Sequence, residues 1–333
     1  MSKVFSGIRS SGRLHLGNYL GAIRNWVALQ GDAEQCIFAV VDLHGITTPY
    51  DPAALPAAVM DTALDFLAAG VDPKKSLLIR QSYVPQHAEL MWLLSTITPV
   101  GWLERLPNWR EKVTQVEEIG GSRAKSYQNN LSLLAYPVLM AADILVYKSD
   151  LVPVGEDQLA HLDLANEIGG KFNHLFGGTF PKVKAYVKEG ARIMSLTDPT
   201  MKMSKTGDAG VALSDPPDVI REKIKRATTD SGSEIKYDEV GKPGISNLLT
   251  IASTLGGTSV GKLEEDYDGT TYSEFKADVA EIVVGFLEPF QKRRAELVAD
   301  PAGVVRILTE SEEKARMLAS DTLADVHKKM GLR

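Results

Sequence analysis

Short apolar runs alternate with amphipathic stretches along the first part of the chain. Val4-Phe5-Ser6 predicts a first strand running into the turn-prone segment Gly7 to Gly12, and apolar spacing from about Leu16 to Leu29 predicts a helix. Cys36 to Val41 is apolar without interruption, the pattern of a strand buried on both faces. Pro52 to Ala69 predicts a helix closed by Gly70, Ser76 to Ile79 a third strand, and His87 to Ile97 another helix. This alternation implies an α/β fold, a Rossmann-like doubly wound parallel sheet. A ligand of such a sheet lies beyond the carboxyl ends of the strands, where the Gly7–Gly12 and Asp42-Leu43-His44 turns fall.

The rhythm breaks between Gly101 and Asn130. That stretch is dense in charge and holds Gly120-Gly121, which reads either as an insertion with a mobile loop beside an oligomer interface or a substrate, or as a plain solvated surface loop. Apolar patterning resumes from Leu131 through Ala142; Leu151 to Val154 predicts a strand and Asp157 to Asn173 a helix. Beyond Gly210 strand signals fade. Helices are expected from Asp215-Pro216-Pro217, over Ile245 to Leu255, Ser273 to Phe286 and Glu310 to Met330. The expected division is therefore an α/β part over residues 1–206 and an α-helical C-terminal region over 207–333.

Composition narrows the class without naming a reaction. The 333 residues are 44% hydrophobic and 24% charged, the profile of a globular protein long enough for two ordinary domains. No apolar run approaches the roughly 20 residues that span a bilayer, and Met1 to Gly7 enters a strand pattern with no signal-peptide core. The one cysteine, Cys36, sits in an apolar run; it excludes a disulfide framework and predicts a buried structural thiol in a reducing, cytoplasmic setting. A net charge of −6 argues against general adhesion to nucleic acid, though not against a local basic track.

Two distant segments make one chemical argument. His15-Leu16-Gly17-Asn18 stands where the first strand should hand over to a helix. Gly17 would let a base or ribose lie against the backbone, and His15 with the helix N-terminus could donate to phosphate. Lys202-Met203-Ser204-Lys205-Thr206 lies on a loop between Pro199 and Gly207, with two ammonium groups for a leaving pyrophosphate. At an effective dielectric of about 20, one ammonium 4 Å from a phosphate charge interacts by about 4 kcal/mol at most. Alone, each segment reads equally as a surface His beside a glycine, or as a solvated basic turn. Gly155-Glu156-Asp157-Gln158 lies between a strand and a helix, with Gly155 admitting a ribose and Asp157 either binding its hydroxyls or capping the next helix. Asp143 falls inside the apolar segment Tyr136 to Tyr147, so its carboxylate needs a partner: a basic residue, backbone N–H groups or a ligand donor. His44 either lines the same cleft or is a satisfied structural histidine. Walker-type, H-E-x-x-H and G-x-S-x-G motifs are missing from the sequence, which leaves P-loop NTPase, zincin and α/β-hydrolase chemistry unsupported.

The first and second segments together resemble the HIGH and KMSKS signatures of class I aminoacyl-tRNA synthetases. Phe5-Ser6-Gly7, Gly17-Asn18-Tyr19, Val41 to His44, Met140 to Leu145 and Val152 to Gln158 are similar to the bacterial tryptophan-specific group, over essentially the whole chain. The resemblance departs at three places. Asn18 replaces the second histidine, Thr206 the final serine, and Arg9-Ser10-Ser11 a turn that usually reads Gln-Pro-Ser.

The resemblance implies an enzyme that joins tryptophan to tRNA(Trp) through an adenylate, using ATP with Mg2+ held on its phosphates and no metal bound by the protein. It implies catalytic roles for His15, Asn18, Lys202 and Lys205. ATP would also meet Arg9, Ser10, Ser11, Gly17, Gly155, Glu156, Asp157, Ile193 beside the adenine, and Met203, Ser204 and Thr206 of the loop. Asp143 would accept the indole N–H, Phe5, Met140, Val152 and Val154 would wall the ring, and Tyr136 and His44 would stand nearby. A homodimer follows, with residues 207–333 reaching the anticodon and the last helix able to pack back on the catalytic part. A tyrosine-specific cousin, a silent paralogue with a binding role, and a small nucleotidyltransferase are the alternatives.

Overall fold

The structure, a computed structural model, describes residues 2–106, 130–187, 192–203 and 210–332. Five parallel strands form the sheet in the order β3-β2-β1-β4-β5: β1 (Lys3–Ile8), β2 (Gln35–Val40), β3 (Leu77–Arg80), β4 (Leu151–Pro153) and β5 (Lys184–Tyr186). The strand order reverses between β1 and β4, and this is where a doubly wound sheet opens its ligand crevice.

Alternation along the strands sends neighbouring side chains to opposite cores. Val4, Phe38 and Leu78 join one hydrophobic cluster, and Phe5, Ile37 and Ile79 join the other. Trp26 stacks on Phe38 with ring centroids 4.8 Å apart, and Phe66 meets it edge-on at 5.1 Å. The Leu55–Ala68 helix closes as expected, with Gly70 at φ +107°, a conformation a side chain would resist. The helical stretch 16–29 is continuous but passes through a π-helical segment, Tyr19–Ile23.

Beyond residue 210 the described chain is helical: Pro217–Lys225, Pro243–Gly256, Val260–Asp266, Tyr272–Ala299 and Pro301–Met330. Asp300 caps the last of these through Gly303 N–H, 2.9 Å away. Ile245, Leu248, Phe275 and Leu308 belong to the first cluster, whereas Ala315, Ala319, Leu323 and Val326 belong to the second. The Pro301–Met330 helix therefore passes from one face of the sheet to the other across β3, an edge strand, and covers that edge.

Strand β5 and the Val260–Asp266 helix carry no apolar pattern that predicts them; β5 is exposed or half-buried throughout. Of the 101–130 insertion, the structure describes the one-turn-and-a-half helix Val100–Glu104 and Asn130; residues 107–129 lie outside the described residues.

Candidate active site

The segment leaving β1 brings the first signature to the crevice. His15 is buried, and its backbone N–H donates to Asn18 Oδ1 at 3.2 Å, fixing the start of the helix from the side chain of its third residue. A Cβ on Gly17 would lie 3.1 Å from the His15 ring and 3.6 Å from Met203 Cβ, so Gly17 sits between the two signatures. Ser10 Oγ is buried and finds no hydrogen-bond partner among the described residues. Arg9 keeps solvent access at the mouth but is hemmed in by the surrounding chain; that burial lowers its guanidinium pKa, with Tyr136 acting the other way.

Both limbs of the second signature are tied down. On one side Met194 pairs antiparallel with Lys202, and Met203 N–H donates to Ile193 O at 3.1 Å. Asn247, buried on the Pro243–Gly256 helix, holds the Met194 peptide from both sides: its Oδ1 accepts from Met194 N–H at 2.9 Å and its Nδ2 donates to Met194 O at 3.0 Å. On the other side Leu16 N–H donates to Val211 O at 3.0 Å and Leu213 N–H to Leu14 O at 2.9 Å, so the first signature forms a bridge with the chain leaving the loop. Buried Asp215 locks that limb by accepting from Arg13 at 2.7 Å and from Lys223 at 3.0 Å. Met203 is buried and Lys202 exposed, while Ser204, Lys205 and Thr206 lie outside the described residues. Sequence elements far apart thus share one wall of the crevice, with Ile193 buried behind them.

The opposite side holds the carboxylate. Asp143, on the Leu131–Leu145 helix, is 2% exposed and is held by three side chains. Gln81 Nε2 donates to its two oxygens at 2.7 and 2.9 Å, His87 Nδ1 to Oδ1 at 2.7 Å, and His44 Nε2 to Oδ2 at 2.9 Å. Burial pushes this carboxyl up, but the bonds from His44 and His87 outweigh it and hold it below its ordinary value of 3.8. Burial, followed by the charge on Asp143, raises the Tyr147 phenol well above its usual range; Tyr147 keeps its proton and donates to His87 Nε2 at 2.7 Å, which leaves Nδ1–H for Asp143. The chain itself therefore supplies the partners that the buried position demanded. Of the three, His87 and Gln81 are sealed, whereas the His44 side chain retains 11% exposure.

Phe5 packs against the rings of Tyr147, 5.7 Å away, and His87, 6.2 Å away, which themselves meet at 5.3 Å. Val152 is buried; Met140 and Val154 are half-buried. Tyr136 bonds His161 Nε2 at 2.7 Å and meets the His44 ring edge-on at 6.3 Å; burial pushes its phenol to about 12, against an opposing pull from Arg9. Gly155, Glu156 and Asp157 form an exposed turn after β4. One expectation is corrected here. Asp157 does not cap the next helix: Gln158 occupies the cap position, and Asp157 Oδ2 instead accepts from Gln158 Nε2 at 2.7 Å. Its carboxylate faces solvent because a 3₁₀ turn intervenes before the helix starts.

Gln81, His87, Tyr147, His161 and Asn247 were not singled out from the sequence. The signal for two of them was present: Gln81 directly follows an apolar strand, and His87 opens the next helix, so both fall at the ligand-facing end of the sheet.

This pairing of a histidine-glycine helix start with a lysine loop, beside a buried acceptor pocket, has known counterparts. The profile of tRNA synthetases class I (W and Y) matches residues 1–288, and the chain belongs to that family. It is 46% identical over 337 residues to the tryptophan–tRNA ligase of Caldanaerobacter subterraneus subsp. tengcongensis, covering 100% of this chain and 99% of the relative. Tryptophanyl-tRNA synthetase from Mycoplasma pneumoniae superposes with a TM-score of 0.87 at 32% identity, covering 100% of this chain and 98% of that one. The Campylobacter jejuni enzyme, solved with ADP and tryptophan, gives 0.84 at 32% identity over 99% and 100% of the two chains.

Proposed function

We propose that the chain is a tryptophan–tRNA ligase. The tryptophan carboxylate attacks the α-phosphorus of ATP, the bond to the β-phosphate breaks, and pyrophosphate leaves. A ribose hydroxyl at the end of tRNA(Trp) then attacks the adenylate carbonyl and releases AMP. The observation that carries this reading is the buried Asp143 carboxylate, kept ionised and held by Gln81, His87 and the partly exposed His44.

The side chains supply no covalent nucleophile; positioning and charge stabilisation do the work. His15 and Asn18 would act on the near side of the phosphates, and Lys202 and Lys205 on the departing pyrophosphate. Gly155, Glu156, Asp157, Ile193, Met203, Ser204 and Thr206 would complete the nucleotide site, with Arg9, Ser10 and Ser11 at its mouth. Mg2+ would arrive on the ATP phosphates and neutralise charge there. The donors along the two signatures are cationic groups and N–H groups rather than carboxylates, which fits a metal carried by the nucleotide. An indole N–H would reach Asp143 Oδ2 by sharing it with His44, the partner with solvent access. Phe5, Met140, Val152, Val154 and Tyr136 would shape the rest of the pocket.

Two copies would pair through the face carrying Trp92, Val100 and Leu131, which are 70%, 57% and 77% exposed on helices that pack together. The helical region 207–333 would reach the anticodon. No helix among the described residues is long and apolar enough to cross a membrane, and a cytoplasmic enzyme would need none. ATP–pyrophosphate exchange measured with each of the twenty amino acids tests the assignment. Exchange driven by tryptophan is expected; exchange driven by tyrosine, or none at all, would overturn it.

A further inference from the structure

Where the Pro301–Met330 helix crosses the edge of the sheet, it carries a carboxylate into the interior. Glu312 is 1% exposed and Arg80, the last residue of β3, is 8% exposed. Arg80 Nε donates to Glu312 Oε1 at 2.6 Å and Nη2 to Oε2 at 2.9 Å, a two-pronged pair. The Arg80 backbone N–H also donates to Oε1, at 3.2 Å. One carboxylate therefore holds both the side chain and the main chain of the residue before Gln81.

Buried ion pairs are poor devices for stability, since apolar residues of similar volume often serve as well. This pair does something apolar residues could not do: it grips a peptide unit. The next side chain, Gln81, is fully buried, donates to both oxygens of Asp143, and accepts from Leu43 N–H at 3.1 Å. The following turn is gripped by the same helix. The Arg80 guanidinium lies 3.5 Å from the centre of the Tyr83 ring, and Arg316, one helical turn beyond Glu312, donates to Tyr83 O at 2.8 Å. Both ends of the Gln81–Tyr83 turn are anchored on the helix while Gln81 points inward.

We infer that Glu312 is a positioning residue for amino-acid selection: through Arg80 and Gln81 it sets the orientation of the Asp143 carboxylate. The inference rests on the tryptophan reading of that pocket. It assigns the Pro301–Met330 helix a part in recognising the indole N–H, separate from the phosphate chemistry at His15 and Lys202. A shift of this helix changes how the substrate is read, not how fast bound substrate reacts.

The test uses Glu312→Gln, which keeps the shape and removes the charge, and the double variant Arg80→Met/Glu312→Met, which leaves no unpaired charge and covers the case where the first does not fold. Tryptophan KM and kcat are measured in pyrophosphate exchange, together with thermal melts. The preference for tryptophan over its benzothienyl analogue, where sulfur replaces the N–H, is measured alongside. Loss of one charge-assisted contact predicts a KM rise of about tenfold with kcat within about twofold, and a similar fall in preference for tryptophan. In a Gln81→Ala background the same changes should add almost nothing, because the connection is already cut. A folded variant with unchanged KM and preference would overturn the inference, as would an effect adding in full to that of Gln81→Ala. Wild-type protein without tryptophan-dependent exchange would overturn the proposed function instead.

Discussion

The two sides of the crevice are prepared in opposite ways. On the side proposed for the amino acid, Asp143 is sealed and bonded to His44, Gln81 and His87. On the side proposed for the nucleotide, Lys202, Gly155, Glu156 and Asp157 are exposed. What is fixed there is the backbone on either side of the lysine loop, through Asn247, Asp215 and the bridge to the first signature. Selecting between similar side chains requires a rigid acceptor that is costly to leave unpaired. Stabilising charge that appears only during reaction calls for a cation presented from a fixed backbone, and the exposed Lys202 next to the anchored Met203 suits that task.

The contrast can be broken most sharply from the nucleotide side. Lys202→Ala and Lys205→Ala should each slow single-turnover adenylate formation by roughly two to three decades, as for loss of one transition-state donor, with tryptophan affinity nearly unchanged. A normal rate would remove the lysine concerned from its role. On the other side Asp143→Ala strands the buried donors of Gln81 and His87 and the partly exposed one of His44. It should raise the tryptophan KM by about two decades and lower the melting temperature, a combination read by exchange kinetics and calorimetry. An unaltered KM would take Asp143 out of the pocket.

Gly17 lies on the boundary between the two sides. Gly17→Ala places a Cβ against the His15 ring, and moving that ring should cost about tenfold in kcat/KM for ATP while tryptophan binding holds. Acid titration gives the smallest effect. Because the Asp143 carboxyl lies below its ordinary 3.8 when folded, its contribution to stability is full above that value and is lost as pH falls through the lower folded one. Asp143→Asn should therefore be less stable than wild type at neutral pH, and the difference should shrink in melts taken below about pH 4.

How far the sequence could be read depended on whether a residue's partner was local. Strands β1 to β4 follow runs of apolar residues, and the two signatures are legible because each is a contiguous segment. Their meeting at Gly17 and Met203 is not, since nothing in either segment encodes the bridge between His15 and Ala212. Asp143 was legible as a buried carboxylate but its partners were not. Gln81 and His87 precede it by 62 and 56 residues, and only the folded sheet brings them beneath it. Glu312 gave no sign at all, being one acidic residue in a strongly charged helix. Strand β5 escaped for the opposite reason: too little of it is buried to impose an apolar pattern.

The passage of the Pro301–Met330 helix over β3 also has a consequence for biosynthesis. Glu312 is translated 232 residues after the strand residue it grips. A sheet formed before that point would leave its β3 border uncovered, an invitation to stick to other nascent chains. The segment that ends this hazard is also the one that anchors the turn carrying Gln81. Covering of the β3 edge and anchoring of the turn that carries Gln81 thus become a single late event, so a chain interrupted before this helix would have an open edge and a turn without its anchor.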